Sequence, residues 1–388
     1  MNQEILSKVV SEYKRLFSDT PILVKAPGRI NLIGEHTDYN NGFVLPAAVE
    51  QSIYIAMGKS TDPTKSKLVS LDMNGQFEFD MTCFSPIKPN TWQNYILGVV
   101  AEIKKIGSVD GFNMVFAGDV PQGSGMSSSA ALECGTCFAL NELFDLGFEK
   151  VEMVKMSQKA EHNFAGVLCG IMDQFASMMG AKDQALLLDC QSLEYKYFPI
   201  ELEDYSLILC NSNVSHSLAD SEYNARRQQC EAGVSVLCRH YPNVQSLRDV
   251  SMDQLLAHQT EMSEVVFKRC EYVIKENERV ITMTSAMEKS NFHELGEILT
   301  TAQAGMRDNY EISCPEIDFM ADFANSRSDV LGARMMGGGF GGCTINLVNK
   351  GSEELFIQEL SVAYKKEFDK EITPIRVQIA DGVGLIKQ

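Results

Sequence analysis

The chain has 388 residues, of which 45% are hydrophobic and 22% are charged, and its formal net charge is −18. This length and composition predict a globular protein with two domains, because one hydrophobic core rarely organises so long a chain. The acidic balance argues against a nucleic-acid partner, since phosphate backbones are held by clusters of Lys and Arg.

The first residues and the cysteines indicate the cellular compartment. Residues 1–17 mix charged and apolar side chains and lack the apolar core of a signal peptide. No stretch approaches the ~18 consecutive apolar residues of a membrane-spanning helix. The eleven cysteines follow no spacing framework, which is typical of free thiols in a reducing compartment. We therefore predict a cytoplasmic protein that does not act at a membrane.

In chain order, the first half alternates between predicted helices and strands. Apolar residues at helical spacing predict a helix over 5–17, and PILVKA then predicts a short strand that stops at Pro27-Gly28. Hydrophobic patterns predict three further strands and a helix, near 52–58, 67–72, 76–80 and 92–106 respectively. A strand, GFNMVFAGD, then leads through a Gly/Ser turn into a helix from about Ser127 to Asp145.

Composition changes near residue 190, where we place a boundary between domains 1–190 and 191–388. Beyond it, YKYFPI and YSLILCNS predict strands, and charged stretches predict helices near 217–239, 263–289 and 291–304. A glycine cluster from Met335 to Gly342 precedes the strand CTINLV, and a helix and one more strand end the chain. The elements predict an α+β fold with the active site in the cleft between the domains.

The Gly/Ser turn, PQGSGMSSSAA, lies between a predicted strand and a predicted helix. Glycine lets the backbone approach a phosphate closely, and N–H groups at a helix N-terminus attract one. No lysine follows the glycines, as a Walker P-loop requires, and no third glycine completes the GxGxxG fingerprint of a dinucleotide site. The loop therefore matches neither of these two motifs. A serine-rich helix cap is the alternative. We predict a nucleotide-phosphate loop, and hence an ATP-dependent small-molecule kinase, in which Gly123, Gly125 and Ser127 to Ser129 supply the close backbone approach and the hydroxyl donors.

A second polar segment runs from Lys25 to Tyr39. Glu35 and Asp38 offer acceptors for the hydroxyl groups of a polyol, and Arg29 offers a planar charged fork that suits a phosphoryl group. The alternative is a structural role in which Arg29 is paired with a carboxylate. So dense a set of polar groups favours a binding site.

These motifs resemble those of a known family. GRINLIGEHTDYNNG is similar to the galactokinase signature, and PQGSGMSSSAALE and GGGFGG resemble the second and third motifs of the wider family of galactokinase, homoserine, mevalonate and phosphomevalonate kinases. CGIMDQFASMMG and SEYNARRQQC also resemble galactokinases, so the resemblance runs essentially end to end. It implies a two-domain small-molecule kinase fold with a mixed-sheet N-terminal domain and an α/β sandwich-like C-terminal domain.

The resemblance also implies residue roles. Asp173 would be the proton acceptor and Arg29 the stabiliser of the transferring phosphoryl group, while Ser129 and Glu161 would ligate Mg²⁺. The implied contacts of the ATP phosphates are Gly123, Ser124, Gly125, Met126, Ser127, Ser128 and Ser129. The implied reaction is transfer of the γ-phosphoryl group of ATP to the C1 hydroxyl of α-D-galactose, with no obligate protein partner. The implied sugar-binding residues are Glu35, His36, Thr37, Asp38, Gly170, Asp173 and Tyr223.

Two alternatives stay open at this point. One is a kinase for a related hexose such as N-acetylgalactosamine, and the other is a sensor that binds ATP and galactose without catalysis. Some galactokinase-like sensors lack a Ser-Ala pair in the phosphate loop, whereas Ser129-Ala130 are present here, which favours catalysis. The other histidines show no metal-ligand spacing, so we expect surface or capping roles for His216, His240, His258 and His293.

Overall fold

The structure, a computed structural model, describes residues 1–88, 91–121, 123–200, 202, 204–215 and 219–387. Its α-helices are α1 (Gln3–Leu16), α2 (Trp92–Ile103), α3 (Ser128–Phe144), α4 (Lys150–Ala160), α5 (Met172–Met179), α6 (Ala219–Leu237), α7 (Met252–Ala257), α8 (Glu264–Glu288), α9 (Phe292–Ala304), α10 (Pro315–Asn325) and α11 (Glu353–Phe368). Its strands are β1 (Ile22–Asn31), β2 (Phe43–Val44), β3 (Pro46–Lys59), β4 (Lys65–Ser70), β5 (Gly75–Asp80), β6 (Phe112–Gly118), β7 (Gln184–Asp189), β8 (Tyr195–Pro199), β9 (Tyr205–Ser215), β10 (Val330–Met336), β11 (Gly341–Asn349), β12 (Thr373–Arg376) and β13 (Gly384–Leu385).

The largest sheet has the strand order β13-β1-β3-β6-β4-β5. The pair β4 and β6 is parallel and the other pairs are antiparallel, which confirms the predicted mixed sheet. Side chains alternate between its faces, so Tyr54 packs with α1 while Ile55 packs with α3. Gly135 lets α3 lie close to the sheet, because a β-carbon there would stand 2.7 Å from Ala26.

A second, antiparallel sheet has the order β10-β11-β9-β12. Along β9, Leu207 and Leu209 join the apolar cluster that includes α9, whereas Ile208 and Cys210 join the cluster that includes α10 and α11. This period-2 alternation buries both faces of the sheet, as expected for the predicted sandwich-like second half. A third sheet has the order β2-β7-β8; β2 lies between β1 and β3 in the chain, whereas β7 and β8 directly precede β9.

The first strand does not stop at Pro27-Gly28, so that prediction is wrong. β1 continues to Asn31, and its register with β3 shifts between Pro27 and Arg29. Proline is tolerated because β13 pairs only with Val24 and Lys25, which leaves this part of β1 at an edge. Gly28 allows the strand to touch the Gly/Ser loop, since a β-carbon there would lie 2.8 Å from the carbonyl oxygen of Met126.

The chain ends in two short strands, β12 and β13, where we predicted one. The domain boundary near residue 190 stays a prediction: it falls just after β7, and one apolar cluster draws side chains from both sides of it, such as Leu186 and Ile345. No helix among the described residues has the length and apolar character needed to cross a membrane.

Candidate active site

The loop after β1 turns sharply and holds its own shape. The Thr37 hydroxyl lies 2.8 Å from the carbonyl oxygen of Gly34 and 2.6 Å from that of Phe43, and the Gly42 N–H donates to the Thr37 carbonyl. His36 takes a left-handed conformation with φ of 60°. These constraints direct the side chains on either side of Thr37 toward one cavity.

That cavity has a volume of about 160 Å³. It gathers predicted residues that are distant in the sequence, from the end of β1, the turn before α5 and the first half of α6. Thr37 does not line it, and its hydroxyl instead braces the loop. The cavity is lined by Arg29, Glu35, His36, Asp38, Glu161, Val167, Cys169, Gly170, Met172, Asp173, Tyr223, Gly337 and Gly338.

Arg29 and Asp173 form a bidentate pair across this cavity. Nε and Nη2 of Arg29 donate to Oδ1 and Oδ2 of Asp173 at 2.8 and 2.7 Å. Nη1 donates to the carbonyl oxygen of Gly125 in the Gly/Ser loop. Arg29 is almost fully buried while Asp173 is a quarter exposed. The guanidinium therefore joins this cavity to the Gly/Ser loop, and the pair is not a surface ion pair.

Asp38 lies against Gly170, at a place where only glycine fits: a β-carbon on Gly170 would overlap the Asp38 carboxylate. The Tyr39 N–H donates to Oδ1 of Asp38 at 2.9 Å, and the Met172 N–H approaches Oδ2 at 3.5 Å. Burial, and then the nearby charge of Asp173, raise the pKa of Asp38 to about 6. The carboxylate is thus held in place but keeps capacity to accept further hydrogen bonds.

Glu35 is paired with a residue that the sequence did not single out, Arg334 on β10. Oε2 of Glu35 lies 2.6 Å from Nη1 of Arg334, and Oε1 accepts the Gly337 N–H at 3.1 Å. Arg334 is fully buried and also donates to the carbonyl oxygens of Asn31 and Leu32 at 2.7 and 2.9 Å. Burial raises the pKa of Glu35 in spite of this guanidinium. The ion pair with Arg334 uses one lone pair of Oε2, which leaves another that can accept a hydrogen bond.

His36 belongs to a buried chain of hydrogen bonds. Its Nε2 lies 3.0 Å from the carbonyl oxygen of Gly338, so Nε2 carries the proton and Nδ1 accepts from the Tyr39 hydroxyl at 2.6 Å. The Tyr39 and Tyr310 hydroxyl oxygens are 2.8 Å apart. Burial lowers the pKa of His36 to about 4, so the ring is neutral. Its face packs on Tyr223, with ring centroids 4.8 Å apart.

The Gly/Ser loop is built from left-handed residues. Gly123, Gly125 and Ser127 have φ angles of 70°, 74° and 54°, and Ser127 immediately precedes α3. The Ser124 hydroxyl donates to the Pro121 carbonyl at 2.6 Å, so it stabilises the loop from inside. Ser128 and Ser129 are the first residues of α3, where N–H groups have no partner within the helix. The loop and the helix end form an anion-binding geometry.

Beside this helix end lies a buried group of acids. Glu161 begins a single π-helical turn (Glu161–Ala165) after α4, and its Oε2 accepts the side-chain amide of Gln174 at 2.7 Å. The same amide nitrogen lies 3.1 Å from Oε2 of Glu133. Burial and then the charge of Asp173 raise the pKa of Glu161 to about 7, while a hydrogen bond with Ser129 opposes that rise. Burial and then the charge of Glu161 raise the pKa of Glu133. Such a cluster can hold a divalent cation.

The sequence did not predict a second cavity, which adjoins the start of α3 and has a volume of about 100 Å³. Aromatic rings form one wall, and the Trp92 and Phe116 centroids lie 5.2 Å apart. Apart from Ser128, Ser129 and Leu132 on α3, no motif marks the lining residues, because they come from separate strands, from the turns beside them and from the start of α2. The cavity is lined by Ile53, Ser70, Asp72, Met73, Trp92, Tyr95, Phe116, Gly118, Val120, Ser128, Ser129 and Leu132.

The glycine cluster forms the turn between β10 and β11. Gly337 and Gly338 line the cavity around Asp173, and a β-carbon on Gly342 would lie 3.5 Å from the carbonyl oxygen of Gly123. The glycine cluster therefore packs beside both this cavity and the Gly/Ser loop. Together with the two halves of the fold, these features define an ATP-dependent kinase of small molecules.

Comparison with known proteins gives the family. Three descriptions match the chain: the galactokinase galactose-binding signature over residues 11–59, the GHMP kinase N-terminal domain over 94–181 and the GHMP kinase C-terminal domain over 283–366. A galactokinase of Thermotoga neapolitana is 44% identical over 94% of this chain and 99% of its own length. A galactokinase of Fusobacterium nucleatum is 37% identical over 99% of this chain and 100% of its own length.

Solved structures agree. Lactococcus lactis galactokinase complexed with galactose superposes with a TM-score of 0.94, at 33% identity, over 98% of this chain and 100% of that chain. Methanococcus jannaschii mevalonate kinase has a TM-score of 0.64 at 16% identity, which shows a shared fold alone. The chain belongs to the galactokinase family and is an ATP-dependent sugar kinase.

Proposed function

We propose that the chain transfers the γ-phosphoryl group of ATP to the C1 hydroxyl of α-D-galactose, giving galactose 1-phosphate and ADP in galactose catabolism. One observation carries the assignment of the site: Arg29 contacts both Asp173 in the sugar cavity and Gly125 in the phosphate loop. A hydroxyl held at Asp173 therefore lies beside the end of a nucleotide held at the loop. Such positioning supplies much of what phosphoryl transfer needs.

The sugar is held by acceptors and by an aromatic wall. Asp38 and Oε2 of Glu35 accept hydrogen bonds from sugar hydroxyl groups, and the neutral ring of His36 forms part of the cavity wall beside Tyr223. Gly170 keeps room for Asp38 in its binding position. A fixed arrangement of acceptors discriminates among hexoses, since a misplaced hydroxyl leaves a buried acceptor without a partner.

Asp173 orients the C1 hydroxyl and accepts its proton. The bond from C1 oxygen to the γ-phosphorus forms as the bond from that phosphorus to the β–γ bridging oxygen breaks, and ADP leaves. The transition state is loose, so the proton reaches Asp173 late and no free alkoxide is required. Each oxygen of Asp173 already accepts one hydrogen bond from Arg29 and keeps a lone pair for the hydroxyl.

Arg29 stabilises the transferring group. A guanidinium has five N–H groups, and the contacts with Asp173 and Gly125 use three of them. The two that are left can donate to phosphoryl oxygens, where charge-assisted bonds are strong. Gly123 to Ser129 would hold the remaining phosphate oxygens through backbone N–H groups.

Mg²⁺ fits the buried acids beside the loop. Glu161 and Ser129 would be its ligands, and oxygen donors of this kind are what the ion prefers. Oε1 of Glu133 and Oε1 of Gln174 are buried without a hydrogen-bond partner in the described residues, which is the condition expected of groups that face a cation and its water. When bound, the ion would neutralise charge on the β- and γ-phosphates.

The aromatic cavity next to α3 is our proposed site for the adenine ring. A purine stacks well on aromatic faces, and Trp92 and Phe116 provide such faces within reach of Ser128 and Ser129 at the phosphate site. The nucleotide would then lie along the start of α3, with its base in this cavity and its γ-phosphate toward Arg29.

We also propose that the protein works in the cytoplasm without a required partner. All eleven cysteines are free and most are buried, which suits a reducing compartment. One chain supplies every side chain that the proposed reaction uses.

The test is turnover with defined hexoses. Purified protein with ATP and Mg²⁺ should convert galactose to a product that ³¹P NMR identifies as galactose 1-phosphate, with little conversion of N-acetylgalactosamine, glucose or talose. No turnover of galactose would overturn the proposal. Binding of galactose and ATP by calorimetry without turnover would favour the sensor, and preferred turnover of the N-acetylated sugar would favour the related kinase.

A further inference from the structure

Two histidines and a glutamate meet on the surface far from the motifs. Nε2 of His240 donates to Oε2 of Glu261 at 2.8 Å, and Nδ1 of His258 donates to Oε1 of the same carboxylate at 2.7 Å. The two imidazole rings stack with centroids 3.8 Å apart and an interplanar angle of 17°. These histidines have no metal-ligand spacing in the sequence, and the fold brings them together.

Three chain segments position this cluster. His240 follows the C-terminal end of α6, His258 caps the end of α7, and Glu261 ends a short 3₁₀ turn (Gln259–Glu261). The segment between His240 and His258 is anchored by buried Val244, Leu247 and Val250. Because packing already fixes this segment, bringing the three side chains together costs less conformational entropy than it would in a flexible loop.

We propose that His240, His258 and Glu261 form a binding site for a zinc-class divalent cation. One ligand atom from each of the three residues lies within 4.8 Å of the other two. Two imidazole nitrogens and a carboxylate oxygen form a known zinc ligand set, and water completes the four positions of the ion. On binding, each neutral imidazole carries its single proton on the other ring nitrogen, and the metal replaces the hydrogen bond to Glu261.

The site is a structural one, separate from the reaction. Tyr223 on α6 lines the sugar cavity, and the helix then runs fourteen residues further to Leu237, which at ~1.5 Å per residue is roughly 21 Å. His240 lies beyond that end. A bound cation would tie the end of α6 to the segment that leads into α8, and it should stabilise the folded state without entering the chemistry.

The test is titration of the purified enzyme with Zn²⁺ alone. Calorimetry measures Zn²⁺ affinity and stoichiometry, and thermal unfolding with and without Zn²⁺ measures the change in melting temperature. The enzyme is kept in excess Mg²⁺ without nucleotide, because ATP itself binds Zn²⁺, and exposed Cys83 and Cys238 are replaced by Ser to remove thiol ligands. We expect one Zn²⁺ per chain and a higher melting temperature. His240→Ala, His258→Ala and Glu261→Gln should each weaken binding by at least about tenfold, because even the loss of a supporting group costs ~10–100-fold.

The matched control is His293→Ala. His293 is an exposed histidine whose Nδ1 lies 3.5 Å from Glu297, so it removes one imidazole–carboxylate pair without touching the cluster. It should bind Zn²⁺ like the parent and keep the parent kcat. Circular dichroism checks that each variant is folded, and Glu261→Gln provides a nearly isosteric variant. Equal Zn²⁺ affinity in all variants, or no zinc-dependent rise in melting temperature in the parent, overturns the proposal.

Discussion

The α-carbon of Gly170 faces the carboxylate of Asp38 so closely that no side chain fits between them. Gly170→Ala should therefore push Asp38 out of its binding position. Loss of a hydrogen bond to a charged group costs about 1.5–3 kcal/mol, so the KM for galactose should rise about tenfold or more, while the KM for ATP stays near that of the parent.

Gly384→Ala is the control for this change, because a β-carbon at Gly384 meets no neighbour within 4 Å. Steady-state kinetics with each substrate varied in turn give both KM values. An unchanged galactose KM in Gly170→Ala would show that Asp38 does not hold the sugar.

Arg29 is the group whose replacement should affect chemistry most. Arg29→Lys keeps the charge but cannot make a bidentate contact with Asp173 and also reach Gly125. Loss of one oriented donor at a transition state costs about 10²–10³ in kcat, and we expect a fall of that size. Single-turnover measurements would locate the loss in the chemical step, and a variant with the parent rate would remove Arg29 from the mechanism.

Asp173→Ala should abolish most turnover and leave galactose binding measurable by calorimetry, because Asp38 and Glu35 stay in place. Asp322→Ala is the control, since Asp322 is an exposed carboxylate that pairs with the surface residue Arg307. If Asp173→Ala turned over galactose at the parent rate, another group would have to accept the proton.

His36 should make stability depend on pH. Its pKa is about 4 in the folded protein against an ordinary 6.5, so the unfolded chain binds the proton more readily between these values. Stability is therefore lost as pH falls from about 6.5 to 4, by about 3 kcal/mol from this residue. Urea unfolding at a series of pH values should show that the free energy of unfolding of His36→Gln falls less steeply with decreasing pH than that of the parent. Exposed His293→Gln should follow the parent, and a His36→Gln curve parallel to the parent would contradict the assignment.

Gln174 should act through Glu161, because its amide bridges Glu161 and Glu133. Gln174→Leu keeps the volume and removes that donor, so the two carboxylates lose their common partner. Loss of a group that orients a metal ligand costs ~10–100-fold in metal affinity. Titration with Mn²⁺ followed by electron paramagnetic resonance measures that affinity apart from activity. Gln191→Leu, at an exposed position, is the control, and equal Mn²⁺ affinity in the two variants would place the cation elsewhere.

Much of this site was predictable because its motifs are local. The glycine and serine content of Gly123 to Ser129 is enough to predict an anion-binding loop. Asp173 and Tyr223 were predicted from the family resemblance, because no spacing rule connects them to Asp38. The sequence could not show that Arg334, in an apolar strand segment, would pair with Glu35, since that contact depends on how β10 meets the end of β1.

The errors have similar causes. Pro27 and Gly28 are local signals for a strand end. Pro27 nevertheless fits within β1 because β13 pairs with Val24 and Lys25 and leaves Pro27 at the edge of the sheet, and Gly28 fits because the Met126 carbonyl oxygen leaves no room for a side chain. Trp92 and Phe116 belong to a helix and a strand that pack together only in the folded chain. The end of β1 and the aromatic cavity both depend on tertiary contacts, which a linear sequence pattern does not encode.

Replacement of Arg334 should strongly destabilise the folded protein. Arg334→Met leaves Glu35 buried without its cation and removes the donors to Asn31 and Leu32. Breaking a buried ion pair in this way costs about 3–5 kcal/mol, which urea unfolding would detect. The double variant Arg334→Met/Glu35→Gln should be more stable than Arg334→Met alone, because the unpaired charge is gone. If the two substitutions instead destabilised additively, the pair would not be coupled, and the hydrogen bonds of Arg334 to β1 would account for its whole contribution.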